Sequence, residues 1–306
     1  MKKVLITGAS GFIGRFAIDS LLNKGYEVFA VYTNKIDHSI FPSKVNWLNC
    51  DLLNSYKTAE LLSLVKPTHL LHLAWYTAHG KFWNAQENLD WVSASINLIK
   101  NFASNGGHRI VISGSCAEYD WDRQVENYSE NEKTVNYSSL YGACKSSLNS
   151  VLKAFSKSVG ISSAWGRIFY LLGPYENPNR LVPSVICSLL RNQKVKCSHG
   201  NQIRDFLYVQ DVAEAFVSLL DSSVEGSVNI ASGEGLKIKD IIMNIAKKLS
   251  REELVLMGSL PAAKNEPLKL VADVNRLSKE LNWLPKSNLD DSICKTIDWW
   301  KQELSK

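Results

Sequence analysis

The chain has 306 residues, 45% hydrophobic and 21% charged, with a formal net charge of +5. That composition excludes a mostly disordered chain. The positive charge is dispersed rather than gathered into a basic run, which excludes a nucleic-acid footprint and fits a small anionic ligand.

The predicted elements alternate from the start. Lys3 to Thr7 is a short apolar run ending at glycine, a buried strand, and Phe12 to Leu22 carries helical spacing that Asn23-Lys24-Gly25 stops. Strands follow at Tyr26–Tyr32 and Val45–Leu48, a helix at Tyr56–Val65 ended by Pro67, a strand at Thr68–Ala74, a long helix over Asn84–Ser104 and a fifth strand at Arg109–Ser113. Tyr137–Val159 reads as another long helix and Ser162–Phe169 as a sixth strand. This alternation predicts an α/β fold in which helices cover both faces of a doubly wound parallel sheet. Beyond Gly173 the pattern loosens around Pro174, Pro178 and Pro183. Helices are expected at Val182–Arg191, Asp211–Leu220, Lys239–Leu249 and Leu289–Lys301, with a strand at Val228–Ala231. The expected division is residues 1–173 as a nucleotide-binding domain, segments around 205–232 returning to it, and 174–306 as a smaller lobe.

No window offers the roughly 18 uncharged apolar residues of a membrane span; the best, Leu61 to Trp75, contains Lys66 and Pro67. The apolar start of the chain breaks at Gly8-Ala9-Ser10-Gly11, unlike a signal peptide. Cys50, Cys116, Cys144, Cys187, Cys197 and Cys294 form no C-x-x-C pair, so neither a metal site nor a disulfide framework is expected. A cytoplasmic location with no membrane contact is the expectation.

Thr7-Gly8-Ala9-Ser10-Gly11-Phe12-Ile13-Gly14 joins the first strand to the first helix. Glycines at this spacing allow a tight turn, close approach of a pyrophosphate to the backbone, and close helix–strand packing, while the helix N-terminus aims N–H groups at the phosphates. In this context the reading is a Rossmann-type dinucleotide site. An acidic residue at the end of the second strand would bond the adenosine ribose. This chain has Tyr32-Thr33-Asn34-Lys35, with Arg15 directly after the last glycine. The missing acid and the two cations favour a 2′-phosphate, hence NADP(H) over NAD(H); the competing reading is that both cations are solvated surface.

Tyr141 and Lys145 stand at i and i+4 in the long helix after the fifth strand, on one face. An ammonium near a phenol stabilises the phenolate and lowers the tyrosine's pKa, which suits general acid–base work. The fifth strand ends in Ser113-Gly114-Ser115, where open sheets bind ligands, and a hydroxyl there can bond a substrate carbonyl.

With these features the chain resembles the extended short-chain dehydrogenase/reductase family, in its nucleotide-sugar branch. The resemblance covers nearly the whole length: the loop at 7–14, Cys50-Asp51-Leu52, His72-Leu73-Ala74-Trp75, Ser115, Tyr141 with Lys145, Arg167-Ile168-Phe169 leading to Gly173-Pro174, the run from Arg204 to Ala213, Asn229 to Gly233, and Leu281 to Pro285. It implies that Ser115 holds the reacting sugar oxygen, that Tyr141 exchanges the proton, and that Lys145 tunes Tyr141 and grips the nicotinamide ribose. Asp51 and Leu52 would flank the adenine, with Leu73 and Ala74 also on the cofactor. Arg204 would meet the sugar nucleotide's pyrophosphate, the competing reading being an ion pair with Asp205 or Asp211. Trp75, Tyr170 and Arg180 are read as further substrate-facing residues. In the dehydratase branch an Asp-Glu pair follows the active-site hydroxyl. Cys116 and Ala117 stand there instead, with Glu118 one place on and expected to point elsewhere, so dehydration is disfavoured.

The resulting expectation is a reductase for the 4-keto group of a nucleotide-linked deoxysugar. The alternatives are a 4-epimerase using the same three residues, and a non-catalytic cofactor sensor on the same fold. Homodimerisation through the two long helices is expected by analogy.

Overall fold

The computed structural model describes residues 2–34, 36–123, 125–134, 138–262 and 266–306. In chain order the first part consists of β1 (Lys3–Thr7), α1 (Gly14–Asn23), β2 (Glu27–Tyr32), β3 (Asn46–Asn49), α2 (Ser55–Val65), β4 (His69–His72), α3 (Glu87–Ser104), β5 (Arg109–Ser115), α4 (Leu140–Val159) and β6 (Ser162–Ile168). The second part holds β7 (Tyr170–Leu172), α5 (Leu181–Leu190), β8 (Val195–Lys196), β9 (Ile203–Tyr208), α6 (Val209–Leu220), β10 (Gly226–Ile230), β11 (Gly235–Lys237), α7 (Ile238–Leu249), β12 (Val255–Leu256), β13 (Lys269–Leu270) and α8 (Leu289–Glu303).

Seven strands form one sheet in the order β10-β6-β5-β4-β1-β2-β3, and every pair is parallel. Period-two alternation sorts its side chains. Val4, Ile6 and Val111 pack with Ala17, Leu21, Val212 and Phe216 of α1 and α6 on one face. Leu5, Ile110 and Ile112 pack with Leu62, Leu98, Phe102, Leu148 and Leu152 of α2, α3 and α4 on the other. Both faces are therefore apolar, which is why these strands read as uninterrupted hydrophobic runs. The chain leaves β1 for β2 on one side and takes up β4 on the other, so a crevice opens beyond the carboxyl ends of β1 and β4.

The smaller lobe is built on β11-β9-β13, with β7 also paired to β9. Phe206 and Tyr208 of β9 pack there with Val182, Ile186, Ile241, Ile245, Ile293 and Trp300. After β9 the chain returns to the large sheet through α6 and β10.

Two differences from the sequence reading matter. First, β7 and β9 occupy 170–172 and 203–208, where no strand was expected. Arg204 and Asp205 interrupt the apolar run of β9, yet both are buried. Second, α4 starts at Leu140, behind Ser139, whose hydroxyl accepts from Gly142 N at 3.1 Å. The expected start at Tyr137 lies outside the described residues. All six cysteines are free, and among the described residues no cluster could hold a metal and no helix is long and apolar enough to cross a membrane.

Candidate active site

The glycine loop takes the shape its sequence requires. Gly8 has φ +68°, and a Cβ there would lie 2.8 Å from Ala74 N. The loop after β1 can therefore press against Leu73 and Ala74 after β4 only with glycine at this position. Gly11 N donates to Gly8 O at 3.0 Å, which closes the turn. No side chain caps the start of α1 at Ile13 and Gly14, so this helix end offers its N–H groups and positive dipole end to an anion. Ser10, Phe12 and Ile13 line the same turn and are half-buried. The cradle fits a dinucleotide pyrophosphate.

Arg15 is folded back on the loop. Its Nη2 donates to Ser10 O at 2.9 Å, its Nε to Gly11 O at 3.3 Å, and its guanidinium lies 3.7 Å from the centre of the Tyr175 ring. Asn34 is exposed just beyond β2, and Lys35 lies outside the described residues. Asp51 is exposed and accepts from Leu53 N at 3.0 Å, whereas Leu52 is buried in the core below.

Ser115 closes β5 and starts a short turn. Its hydroxyl accepts from Ala117 N at 3.2 Å, while its own N–H donates to Glu118 Oε1 at 2.8 Å, a reciprocal capping box. Glu118 is fully buried and also accepts from Trp165 Nε1 at 2.8 Å and Arg167 Nε at 2.9 Å. It points into the sheet, away from the crevice. A Cβ on Gly142 would come 2.3 Å from Ala117 O, so glycine lets the first turn of α4 press on the Ser115–Glu118 turn. That contact brings Tyr141 against Ser115, whose side chain hydrogen-bonds the phenol.

The expected Tyr–Lys coupling is corrected by the geometry. Burial pushes the Tyr141 phenol up to about 12, Ser115 opposes this, and Lys145 is not among the groups that move it. The Lys145 amine instead donates to Ser113 O at 2.8 Å and sits 3.8 Å over the Trp75 ring. Burial drives that amine down to about 7, with Glu118 the opposing charge. Tyr141 is thus a protonated phenol at neutral pH.

Trp75 is buried, its indole N–H donating to Asn88 Oδ1 at 2.8 Å, so it supports Lys145 from below. Arg180 stands at the start of α5 over the Phe82 ring, at 5.4 Å, close enough for its charge to act on Tyr141. Arg204 is fully buried. Its partner is neither Asp205 nor Asp211 but Glu266, at 2.7 Å, and its guanidinium is 5.5 Å from the Tyr170 ring. The structure thus gathers Ser115, Tyr141, Lys145, Trp75 and Arg180 around one crevice and places Tyr170 and Arg204 in a buried cluster with Glu266. Sequence reasoning missed Glu266, which meets Arg204 only through the tertiary fold. It also missed the capping role of Glu118, for which the Ser-x-x-Glu spacing was a usable signal.

A model of the NAD dependent epimerase/dehydratase family matches residues 4–231. The chain belongs to that family. Its relatives include a dTDP-glucose 4,6-dehydratase of Salmonella typhimurium, 24% identical over 97% of this chain and 92% of that protein. A CDP-abequose synthase of the same organism is 26% identical over 95% of each. Among solved structures, the UDP-glucose 4-epimerase of Thermotoga maritima with UDP-glucose superposes with a TM-score of 0.88 at 22% identity, covering 99% of both chains. As a member of this family the chain is distinctive in carrying Cys116 and Ala117 directly after Ser115 and in committing Glu118 to the protein interior.

Proposed function

We propose that the protein reduces the 4-keto group of a nucleotide-linked deoxysugar. The observation that carries this reading is the protonated Tyr141 phenol hydrogen-bonded to Ser115: a group with its pKa near 12 is suited to give a proton to a nascent alkoxide and poorly suited to take one from an alcohol. The glycine loop, Arg15, Asn34, Asp51, Leu52, Leu73 and Ala74 would hold a nicotinamide dinucleotide, which supplies hydride to the carbonyl carbon. Ser115 donates a hydrogen bond to the ketone oxygen and polarises it, and Tyr141 gives that oxygen its proton. Lys145 would hold the ribose next to the ring. Arg204 and Arg180 would meet the diphosphate and the sugar. The end of β2 has no carboxylate, which supports NADPH as the reductant, although the family's description speaks of NAD. Arg15 contributes charge to this reading but has its hydrogen bonds committed to the loop. The exposed Leu89 of α3 and Val151 of α4 support pairing of two copies through the long helices.

The same residues could serve a 4-epimerase, a reading that the likeness to UDP-glucose 4-epimerase supports. One experiment separates the two. With a panel of nucleotide-linked 4-keto-6-deoxysugars, absorbance of the reduced cofactor falls stoichiometrically in a reductase and shows no net change in an epimerase. NADPH is expected to exceed NADH in kcat/KM by more than tenfold, and Tyr141→Phe to lower turnover by about 10²–10⁴-fold while cofactor affinity holds. An active Phe variant would reject the assignment.

A further inference from the structure

Beside the Ser115–Tyr141 pair stands a wall of aromatic rings for which proton transfer has no use. Phe82 meets the Tyr141 ring edge-on with centroids 5.0 Å apart, Trp83 lies 6.0 Å from the same ring, and Phe82 and Trp83 stack at 4.6 Å. Trp121 meets Trp83 edge-on at 5.8 Å. Both ends of the wall are fastened to the site itself. Tyr141 N donates to Trp83 O at 2.9 Å, and the Trp121 indole N–H donates to the carbonyl of Cys116, the residue after Ser115, at 3.1 Å. Phe82 is buried, whereas Trp83 keeps 38% of its surface exposed. An indole held by three other rings and still open to solvent beside the proton donor is a preformed apolar plate.

We propose that Trp83, backed by Trp121, packs against a deoxygenated carbon next to the reacting ketone, and that this contact makes the protein selective for deoxysugars. The inference rests on the reading of Ser115 and Tyr141 as the ketone-binding pair. The ring atoms flanking a C4 ketone are C3 and C5, so the group on the wall is the substituent of C3 or the C6 carbon borne by C5. Phe82 offers no hydrogen-bonding atom, and the N–H of Trp121 is spent on Cys116. A sugar hydroxyl turned to this wall gives up water and meets carbon; a methylene or methyl group loses nothing there. An apolar surface of this kind rejects an added hydroxyl by about tenfold to a hundredfold.

The test is calorimetric binding to the cofactor-loaded protein of uridine, cytidine and thymidine diphosphates, bare and joined to glucose, 3-deoxyglucose and 6-deoxyglucose. For the nucleotide that binds, one deoxysugar conjugate is expected to bind about tenfold or more tighter than the glucose conjugate. Trp83→Ala should erase that preference and leave the bare diphosphate within twofold. Trp83→Phe, which keeps the stack on Phe82, should retain part of it. Equal binding of the three conjugates, or a preference that survives Trp83→Ala, overturns the proposal, as does an equal weakening of the bare diphosphate. A preference lost with Trp83, in a protein that reduces no 4-keto sugar with either cofactor, leaves this inference standing and overturns the proposed reaction instead.

Discussion

Two arginines, Arg167 on β6 and Arg204 on β9, are buried in the same molecule and are solvated in opposite ways. Arg167 is enclosed by a complete set of partners. Its Nε bonds Glu118 at 2.9 Å, and its Nη1 bonds the Tyr119 hydroxyl at 3.2 Å and Glu130 O at 3.1 Å. Glu118 is itself saturated by Ser115 N and Trp165. Arg204 has Glu266 at 2.7 Å and the carbonyl of Ile203 at 2.8 Å, but its Nε has no partner, and Glu266 is 29% exposed against none for the arginine. A buried charge with every donor met is a structural device, here one that fixes the backbone of Ser115. A buried charge with a donor to spare and a single, partly exposed counter-ion is what an anion site looks like before its anion arrives.

The sharpest way to break this contrast is to cut the closed network. Glu118→Gln leaves Arg167 charged, buried and short of its counter-ion, and is expected to cost about 3–5 kcal/mol of stability, read as a lower urea midpoint. If the loss is below about 1 kcal/mol, the network is not the anchor of Ser115. Lys145 is a third buried cation and belongs with neither arginine, since it has a carbonyl and an indole face but no carboxylate bonded to it. Its folded-state pKa of about 7 lies well below the value near 10.4 of an unfolded lysine. Below pH 7 both states are protonated, and folding bears the full penalty of burying the charge. As pH rises from 7 towards 10 the folded state gives up its proton first, and stability rises. Lys145→Met should therefore be more stable than the parent by about 1–3 kcal/mol at pH 6, with the gap shrinking by pH 9. Urea titrations at the two pH values check this, and a constant gap would contradict it.

The legibility of these regions in the sequence follows the range of the physics involved. The glycine loop was readable because its shape is set within eight residues: only glycine tolerates the φ of Gly8 and its approach to Ala74. The placement of Tyr141 near Ser115 was readable from strand order and helix phase. The direction of the Lys145 amine was not, because a flexible side chain goes to whichever partner the fold provides, here Ser113 O rather than the phenol. β9 was missed for a related reason. A buried strand is recognised by its apolar run, and Arg204 and Asp205 break that run. Asp205 is accommodated by the N–H groups of Ser232, Gly233 and Ala272, which lie 27 or more residues away in the chain. No local pattern announces such distant partners.

The smallest expected effect tests the open half of the comparison. Glu266 gives one oxygen to Arg204 and the other to Gln202 Nε2 at 2.9 Å, so it neutralises the arginine that the sugar nucleotide's diphosphate would need. An incoming diphosphate exchanges one anion for another, and part of its attraction to Arg204 is offset by the carboxylate it displaces or sits beside. Glu266→Gln keeps the shape and an acceptor oxygen but removes the charge. Uridine, cytidine or thymidine diphosphate should then bind about tenfold tighter, near 1.4 kcal/mol, with little change in the urea midpoint because the carboxylate is partly solvated. Arg204→Met should abolish the gain when combined with Glu266→Gln, since the two residues act through one contact. If Glu266→Gln instead lowers stability by as much as Glu118→Gln and leaves nucleotide affinity unchanged, the two arginines are alike, and Arg204 is as structural as Arg167.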